Sequence, residues 1–359
     1  MKHFRRDEYF SSRPPITAMD DMPILGHTSA LHGASNRRPF ARRLIGHGRR
    51  SIPARKRFLM TQVDIRPLTP DLAAEIRGLD LRHPEAAVPT IREAIARHGV
   101  IFLRDQELTI DQLLAATAAV GPVLRVPFVK GMDSHPDVIA VLKEADEKRI
   151  STFGGTWHSD FSFLPEPPSL TLLYASELPP VGGDTLWANQ YAAYEALSPG
   201  LQRLLDPLLA VHTGWPHGTN GPGADAAVSR SVRMVRNDPT ADREELHPVV
   251  RVHPVTGRKA LFVNPVYTQR FDGMTVAESK PLLDYLYQHS IRAEFTCRWR
   301  WQPGTLAIWD NRCTLHLAIN DYDGARRLLY RTTVAGERPI PVGTAQAPGQ
   351  GQTPVRQAS

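Results

Sequence analysis

The 359-residue chain has only two cysteines, Cys297 and Cys313. Two thiols make neither a disulfide framework nor a zinc-finger spacing, so a reducing cytoplasm is the expected compartment. Long hydrophobic runs are also missing. No stretch approaches the roughly 18–20 apolar residues needed to cross a bilayer, and no membrane partner is expected. Acidic residues are scarce in one place only. Residues 1–59 hold 13 Lys/Arg against 4 Asp/Glu, which leaves 30 basic and 33 acidic residues for the rest of the chain. The formal net charge of +6 therefore belongs to the N-terminal segment. A folded body without basic excess excludes a nucleic-acid enzyme.

That segment carries Arg pairs ("RRPFARR"), prolines and little periodicity, and reads as a disordered basic extension over 1–59. Its four acids and lack of a clear amphipathic helix argue against a transit peptide. Met60 opens "MTQVDIRPLTPDLAAEIRGLDL", which has the look of a domain start. One domain is expected over 60–340, followed by a disordered low-complexity tail over 341–359.

Within the domain, "PDLAAEIRGLDL" (70–81) and "PTIREAIARHG" carry helical spacing, the second stopping at Gly99. "TIDQLLAATAAVG" predicts a helix capped by Thr109 or Asp111 and ended by Gly121. "SPGLQRLLDPL" and "TVAESKPLLDYLYQHS" are helical as well. "VIFLR", "DVIAVLKE", "SLTLLYASE", "DTLWA", "KALFVN", "GTLAIWDN" and "RLLYRTTVAG" are strand-like. Many short strands between Gly/Pro turns predict a mainly β fold, a sandwich or jelly roll with flanking helices. The stretch 213–245, rich in Gly, Pro, Asp and Asn, is either a lid or an ordered excursion.

The chemistry concentrates in two places. "GGTWHSDFSF" puts His158 and Asp160 two residues apart, on one side of an extended segment. Such a pair can serve a sheet surface, a hydrogen bond or a metal. "LAIWDNRCTLHLAINDYDGARRLLYRTTVAG" then supplies His316, Arg327 and Arg331. The two arginines are four apart in a strand-like run, on one face, where they need anions. Arg326 points the other way and reads as solvated or salt-bridged. Asp310 and Asn311 read as turn groups or partners of ligands, and Cys313 as core. Two His and one carboxylate form the facial triad of non-haem iron(II) oxygenases, which leaves three positions open. An α-keto acid can fill two of these, dioxygen the third. The far carboxylate of 2-oxoglutarate then calls for an arginine fork.

These motifs, with "WHSDFSFLPEPPS", "LPPVGGDTLWANQYAAYEALS" and "HPVTGRKALFVNPVYTQRFDGMTVAESKPLL", resemble the taurine dioxygenase and 2,4-dichlorophenoxyacetate dioxygenase family of Fe(II)/2-oxoglutarate enzymes over about 62–338. The resemblance implies a double-stranded β-helix, a distorted, cupin-like jelly roll. It implies that His158, Asp160 and His316 hold Fe(II), that Thr185 and Arg327 bind 2-oxoglutarate, and that Arg331 meets the anionic group of the prime substrate. It implies O2-dependent hydroxylation of a small organic anion, with 2-oxoglutarate decarboxylated to succinate and CO2, and a homo-oligomer (dimer or tetramer). Taurine-specific members carry Asn where Gly154 stands here, and His and Tyr where this chain reads "LRVPFVKGMD". A larger carboxylate, sulfate or sulfonate with an apolar body, including an aryloxyalkanoate, is expected ahead of taurine cleavage to sulfite and aminoacetaldehyde. Two rivals use the same fold. A cupin-like hydrolase or isomerase with Mn or Zn would not need Thr185 and Arg327, and a non-catalytic small-anion binding protein would not need the open metal site.

Overall fold

The computed structural model describes residues 63–148, 153–219, 221 and 232–344. The basic extension over 1–59, residues 345–359 of the expected 341–359 tail and the middle of the 213–245 stretch lie outside the described residues; the start of that tail is ordered instead, with Pro341 in a strand paired to Arg251. Sixteen strands are described: β1 Asp64–Pro67, β2 Ala74–Arg77, β3 Val100–Leu103, β4 Ile139–Lys143, β5 Leu170–Glu177, β6 Thr185–Asn189, β7 Leu209–His212 and β8 Glu245–Pro248. They continue with β9 Val250–Val252, β10 Lys259–Leu261, β11 Thr268–Phe271, β12 Thr296–Trp299, β13 Leu306–Asp310, β14 Thr314–Ala318, β15 Arg327–Val334 and β16 Ile340–Pro341. The helices are α1 Val88–His98, α2 Ile110–Val120, α3 Gln190–Glu195, α4 Pro199–Leu205 and α5 Val276–Ser290.

Seven strands form the large sheet in the order β1-β2-β3-β13-β5-β15-β4, and three three-stranded sheets (β10-β9-β16, β11-β7-β8, β12-β6-β14) complete the architecture. Among the described strands only β2 and β3 run parallel; the other pairs are antiparallel. This is the distorted jelly roll, or double-stranded β-helix. The period-2 rule explains its layers. On β13, Leu306 and Ile308 join the outer cluster with α1 and α2 residues such as Ile91 and Leu113. Ala307 and Trp309 face the other way, into a cluster shared with Trp187 of β6 and Trp299 of β12. There Phe102 stacks on Trp299 at 3.8 Å between ring centroids. The large sheet is thus covered on both faces, with aromatic side chains pinning the β12-β6-β14 sheet to its inner face. A third cluster, containing Leu283 and Leu286 of α5 with Val250 and Leu261, holds the helices around the β9–β10 pair.

Local signals account for the helices. Thr109 caps α2 and Thr275 caps α5, each in a reciprocal capping box with the residue three positions on. Gly99 ends α1 with φ +68°, the left-handed stop that glycine allows. The stretch 70–81 departs from its predicted helix. Ala74–Arg77 is a strand, hydrogen-bonded to both β1 and β3. A short helix has too few turns to offset its nucleation cost, whereas this segment finds partners on both sides. The described C-terminal part of the 213–245 stretch is hydrogen-bonded to the segment before β4: the Lys130 N–H donates to the Arg233 carbonyl, and the Val235 N–H to the Phe128 carbonyl.

Candidate active site

His158 and His316 are brought together by the backbone. The His158 N–H donates to the His316 carbonyl at 3.1 Å, and the His316 N–H to the His158 carbonyl at 2.8 Å. This isolated antiparallel bridge fastens the end of the "GGTWHSD" loop to β14. The imidazole centroids lie 4.2 Å apart. Asp160 Oδ1 stands 3.6 Å from His158 Nε2 and 3.7 Å from His316 Nε2. One donor atom from each residue lies within 4.8 Å of the others, and all three residues are buried.

The protonation pattern suits a cation. The His158 Nδ1–H donates to the Thr156 carbonyl at 2.7 Å, which fixes the ring with Nε2 turned toward Asp160. Burial, followed by the neighbouring His158, holds the His316 imidazole well below the usual histidine value, so it is neutral near pH 7. Burial alone would raise the Asp160 carboxyl. The Arg331 guanidinium, then His316 and His158, outweigh it and hold the group below the ordinary carboxylate range. Two imidazole nitrogens and one carboxylate oxygen converging in a buried site fit a divalent ion with open positions.

Both remaining sequence-predicted arginines are buried, at 4% exposure for Arg327 and 3% for Arg331. Arg331 Nη2 lies 3.0 Å from Asp160 Oδ2. Arg327 Nη2 donates to the Gly183 carbonyl at 3.1 Å. In both residues Nε is buried with no hydrogen-bond partner among the described residues. Guanidinium nitrogens left so are expensive unless an anion meets them. Thr185 lies two residues from Gly183, buried on β6, and its Oγ1 accepts the Trp301 indole N–H at 3.0 Å. Gly183 is required here. Its φ is +71°, and a Cβ would come within 3.0 Å of Arg327 Nε. Arg326 turns outward to Glu144 and Glu177.

Sequence reasoning missed the wall around Arg331. The Phe161 ring lies 5.5 Å and the Phe153 ring 6.0 Å from its guanidinium carbon. Phe128, Phe163, His217 and Tyr267 continue the aromatic surface. Burial lowers His217 to about 4, so it is neutral and behaves as another flat ring. The only local signal was the aromatic alternation in "DFSF". Phe161 has φ +44°, a left-handed conformation that a bulky residue adopts at a cost, and it directly follows Asp160. Gly154 lies against the His158 imidazole: a Cβ there would meet His158 Cε1 at 3.3 Å.

A jelly roll with this triad and two buried arginines defines a class, and comparison with known proteins identifies the family. The family model described as "Taurine catabolism dioxygenase TauD, TfdA family" matches residues 64–333. The alpha-ketoglutarate-dependent sulfate ester dioxygenase of Pseudomonas putida is 37% identical over 286 residues, 78% of this chain and 92% of that protein. The alkylsulfatase of Acinetobacter baylyi is 34% identical over 77% of this chain and 86% of its own length. The crystal structure of a taurine dioxygenase from Burkholderia xenovorans superposes with a TM-score of 0.64 at 34% identity, covering 78% of this chain and 93% of that one. The chain belongs to the TauD/TfdA family. It is an iron(II)- and 2-oxoglutarate-dependent dioxygenase that consumes O2. Among the described residues, no helix is long and apolar enough to cross a membrane.

Proposed function

We propose that His158, Asp160 and His316 hold the iron, that Thr185 and Arg327 bind 2-oxoglutarate, and that Arg331 faces a monoanionic sulfate ester with an apolar body. When bound, iron(II) activates O2, with 2-oxoglutarate decarboxylated to succinate and CO2 and one oxygen atom entering a substrate C–H bond. The chain's own residues orient and enclose the reactants. Arg327, with its free Nε, offers a charge-assisted fork to the far carboxylate of 2-oxoglutarate. The aromatic wall desolvates the substrate and keeps water from the reacting carbon. Hydroxylation beside the ester oxygen gives a hemiacetal sulfate, which expels hydrogensulfate and leaves an aldehyde.

The buried, incompletely partnered Arg331 beside an aromatic surface carries the substrate assignment. Iron(II), dianionic 2-oxoglutarate, Asp160, Arg327 and Arg331 together leave one positive charge uncompensated. A monoanion closes that balance and a dianion overshoots it. The sulfate-ester relatives favour the same choice. None of Phe128, Phe153, Phe161, Phe163 and Tyr267 offers a carboxylate to the ammonium of taurine.

A panel of linear alkyl sulfates, read by succinate and sulfate release, tests this reading. Each added methylene within the pocket should raise kcat/KM about fourfold, from ~0.8 kcal/mol per buried CH2. Taurine and the matching alkyl phosphates, mostly dianionic at neutral pH, should turn over far more slowly. Taurine as the best substrate would sink the proposal. The glycine shelf gives a second test. Gly183→Ala should raise KM for 2-oxoglutarate by at least about tenfold, because strain and the displaced Arg327 together exceed ~1.4 kcal/mol. An unchanged KM would separate Arg327 from the cosubstrate.

A further inference from the structure

The Asp160 carboxylate presents one oxygen to the histidines and has the other held from behind. Oδ2 accepts the Thr171 hydroxyl at 2.7 Å and lies 3.0 Å from Arg331 Nη2. Oδ1 alone faces the two imidazoles. Behind Thr171 the contacts form a chain with one direction. The Trp309 indole N–H donates to Asn311 Oδ1 at 2.9 Å, and Asn311 Nδ2 donates to Thr171 Oγ1 at 2.9 Å. An indole can only donate, so the Asn311 oxygen must face Trp309 and its NH2 must face Thr171. The Thr171 oxygen receives that N–H, which commits the hydroxyl proton to Asp160. A donor-only group at one end and an acceptor-only carboxylate at the other fix every proton between them.

The fold builds this chain from the main sheet. Thr171 on β5 is the register partner of Trp309 on β13, and Asn311 lies just past the end of β13. Thr171 and Asn311 are 0% and 2% exposed, so water does not compete. Asn311 also holds the ligand segment by its backbone: its carbonyl accepts the Ser159 hydroxyl at 2.8 Å. Asp310 and Arg312 lock the turn on either side, through Arg312 N–H and guanidinium contacts to the Asp310 carboxylate. His253, Asp310 and Cys313 also cluster, but both His253 nitrogens are engaged, by Asp310 and by the Val255 and Thr256 N–H groups. That cluster braces the turn.

From this arrangement we infer that Thr171 and Asn311 are positioning residues that select Oδ1 of Asp160 as the metal-facing oxygen and set the metal affinity. The inference rests on the assignment of Asp160 as a ligand. Outer partners of metal ligands typically contribute 10–100-fold in affinity.

The test is a calorimetric titration of the metal-free full-length protein with Co(II) alone, with the visible spectrum of the Co(II) form as a second readout. Thr171→Val, which keeps the shape and removes the hydroxyl, should weaken Co(II) binding on the order of 10–100-fold and shift the spectrum. Thr171→Ser should restore both. Asn311→Ala, which frees the Thr171 proton, should weaken binding in the same direction and guards against misfolding of the valine variant. Wild-type affinity and spectrum in Thr171→Val would overturn the inference, as would failure of Thr171→Ser to restore them. Asp160→Ala separates the two levels. If it binds Co(II) like wild type, the ligand assignment fails; if it loses Co(II) while Thr171→Val does not, only the positioning role fails.

Discussion

Asp160→Ala is expected to abolish succinate formation and Fe(II) binding together. The side chain contributes the only carboxylate of the convergent triad, and two neutral imidazoles alone leave a divalent ion under-coordinated. A second effect follows from what Asp160 does without metal. It is the ion-pair partner of Arg331, and both groups are almost fully buried. Removing one member of such a pair costs about 3–5 kcal/mol, because the other charge stays uncompensated. The metal-free variant should therefore melt several degrees below the metal-free wild type. Asp160→Asn, which retains an acceptor for Thr171, should lose Fe(II) with a different stability penalty. Calorimetric metal titration and thermal melts measure both effects. Residual turnover at the wild-type rate in Asp160→Ala would remove Asp160 from the metal site.

The second large effect belongs to Arg327. Arg327→Ala should weaken 2-oxoglutarate by about 30-fold to several thousand-fold, the equivalent of ~2–5 kcal/mol for a buried charge left without its partner. Arg327→Lys should fall between, since an ammonium supplies charge without the fork. The measurement is the metal-to-ligand charge-transfer band, titrated with 2-oxoglutarate under anaerobic conditions at saturating Fe(II). Arg331→Ala should keep that band and lose the prime substrate. A band abolished by Arg331→Ala and spared by Arg327→Ala would exchange the two roles.

Much of the scaffold was legible because it is local. The apolar runs of β5, β13 and β15 and the capped helices α2 and α5 announce themselves within a dozen residues. The misread stretch 70–81 failed for the opposite reason: its strand exists through pairing with β1 and β3. Several short strands, such as β9 with three residues, are likewise products of their neighbours. At the site, residue types and order pointed to His158, Asp160 and His316. Nothing in the sequence, however, joins Arg331 to Asp160, or Asn311 to Thr171 140 positions away. Those contacts depend on which strands lie side by side, and single-sequence periodicity does not encode that. The aromatic wall was hidden in the same way, its rings coming from four separate segments, at Phe128, Phe153–Phe163, His217 and Tyr267.

The bridge between His158 and His316 also bears on how the protein assembles. The neighbouring Ser159–Asn311 hydrogen bond spans 152 positions, and closing a flexible loop of that length costs about 4–5 kcal/mol of chain entropy. In the unfolded chain His316 lies far from the His158–Asp160 pair, so the proposed ligand set is complete only after the segments carrying them have come together. Contacts of such high sequence separation form late and slowly. A metal held by these three residues would report on completed topology, and its binding free energy, about 2.7 kcal/mol at a hundredfold excess over Kd, would be added to the closed chain alone.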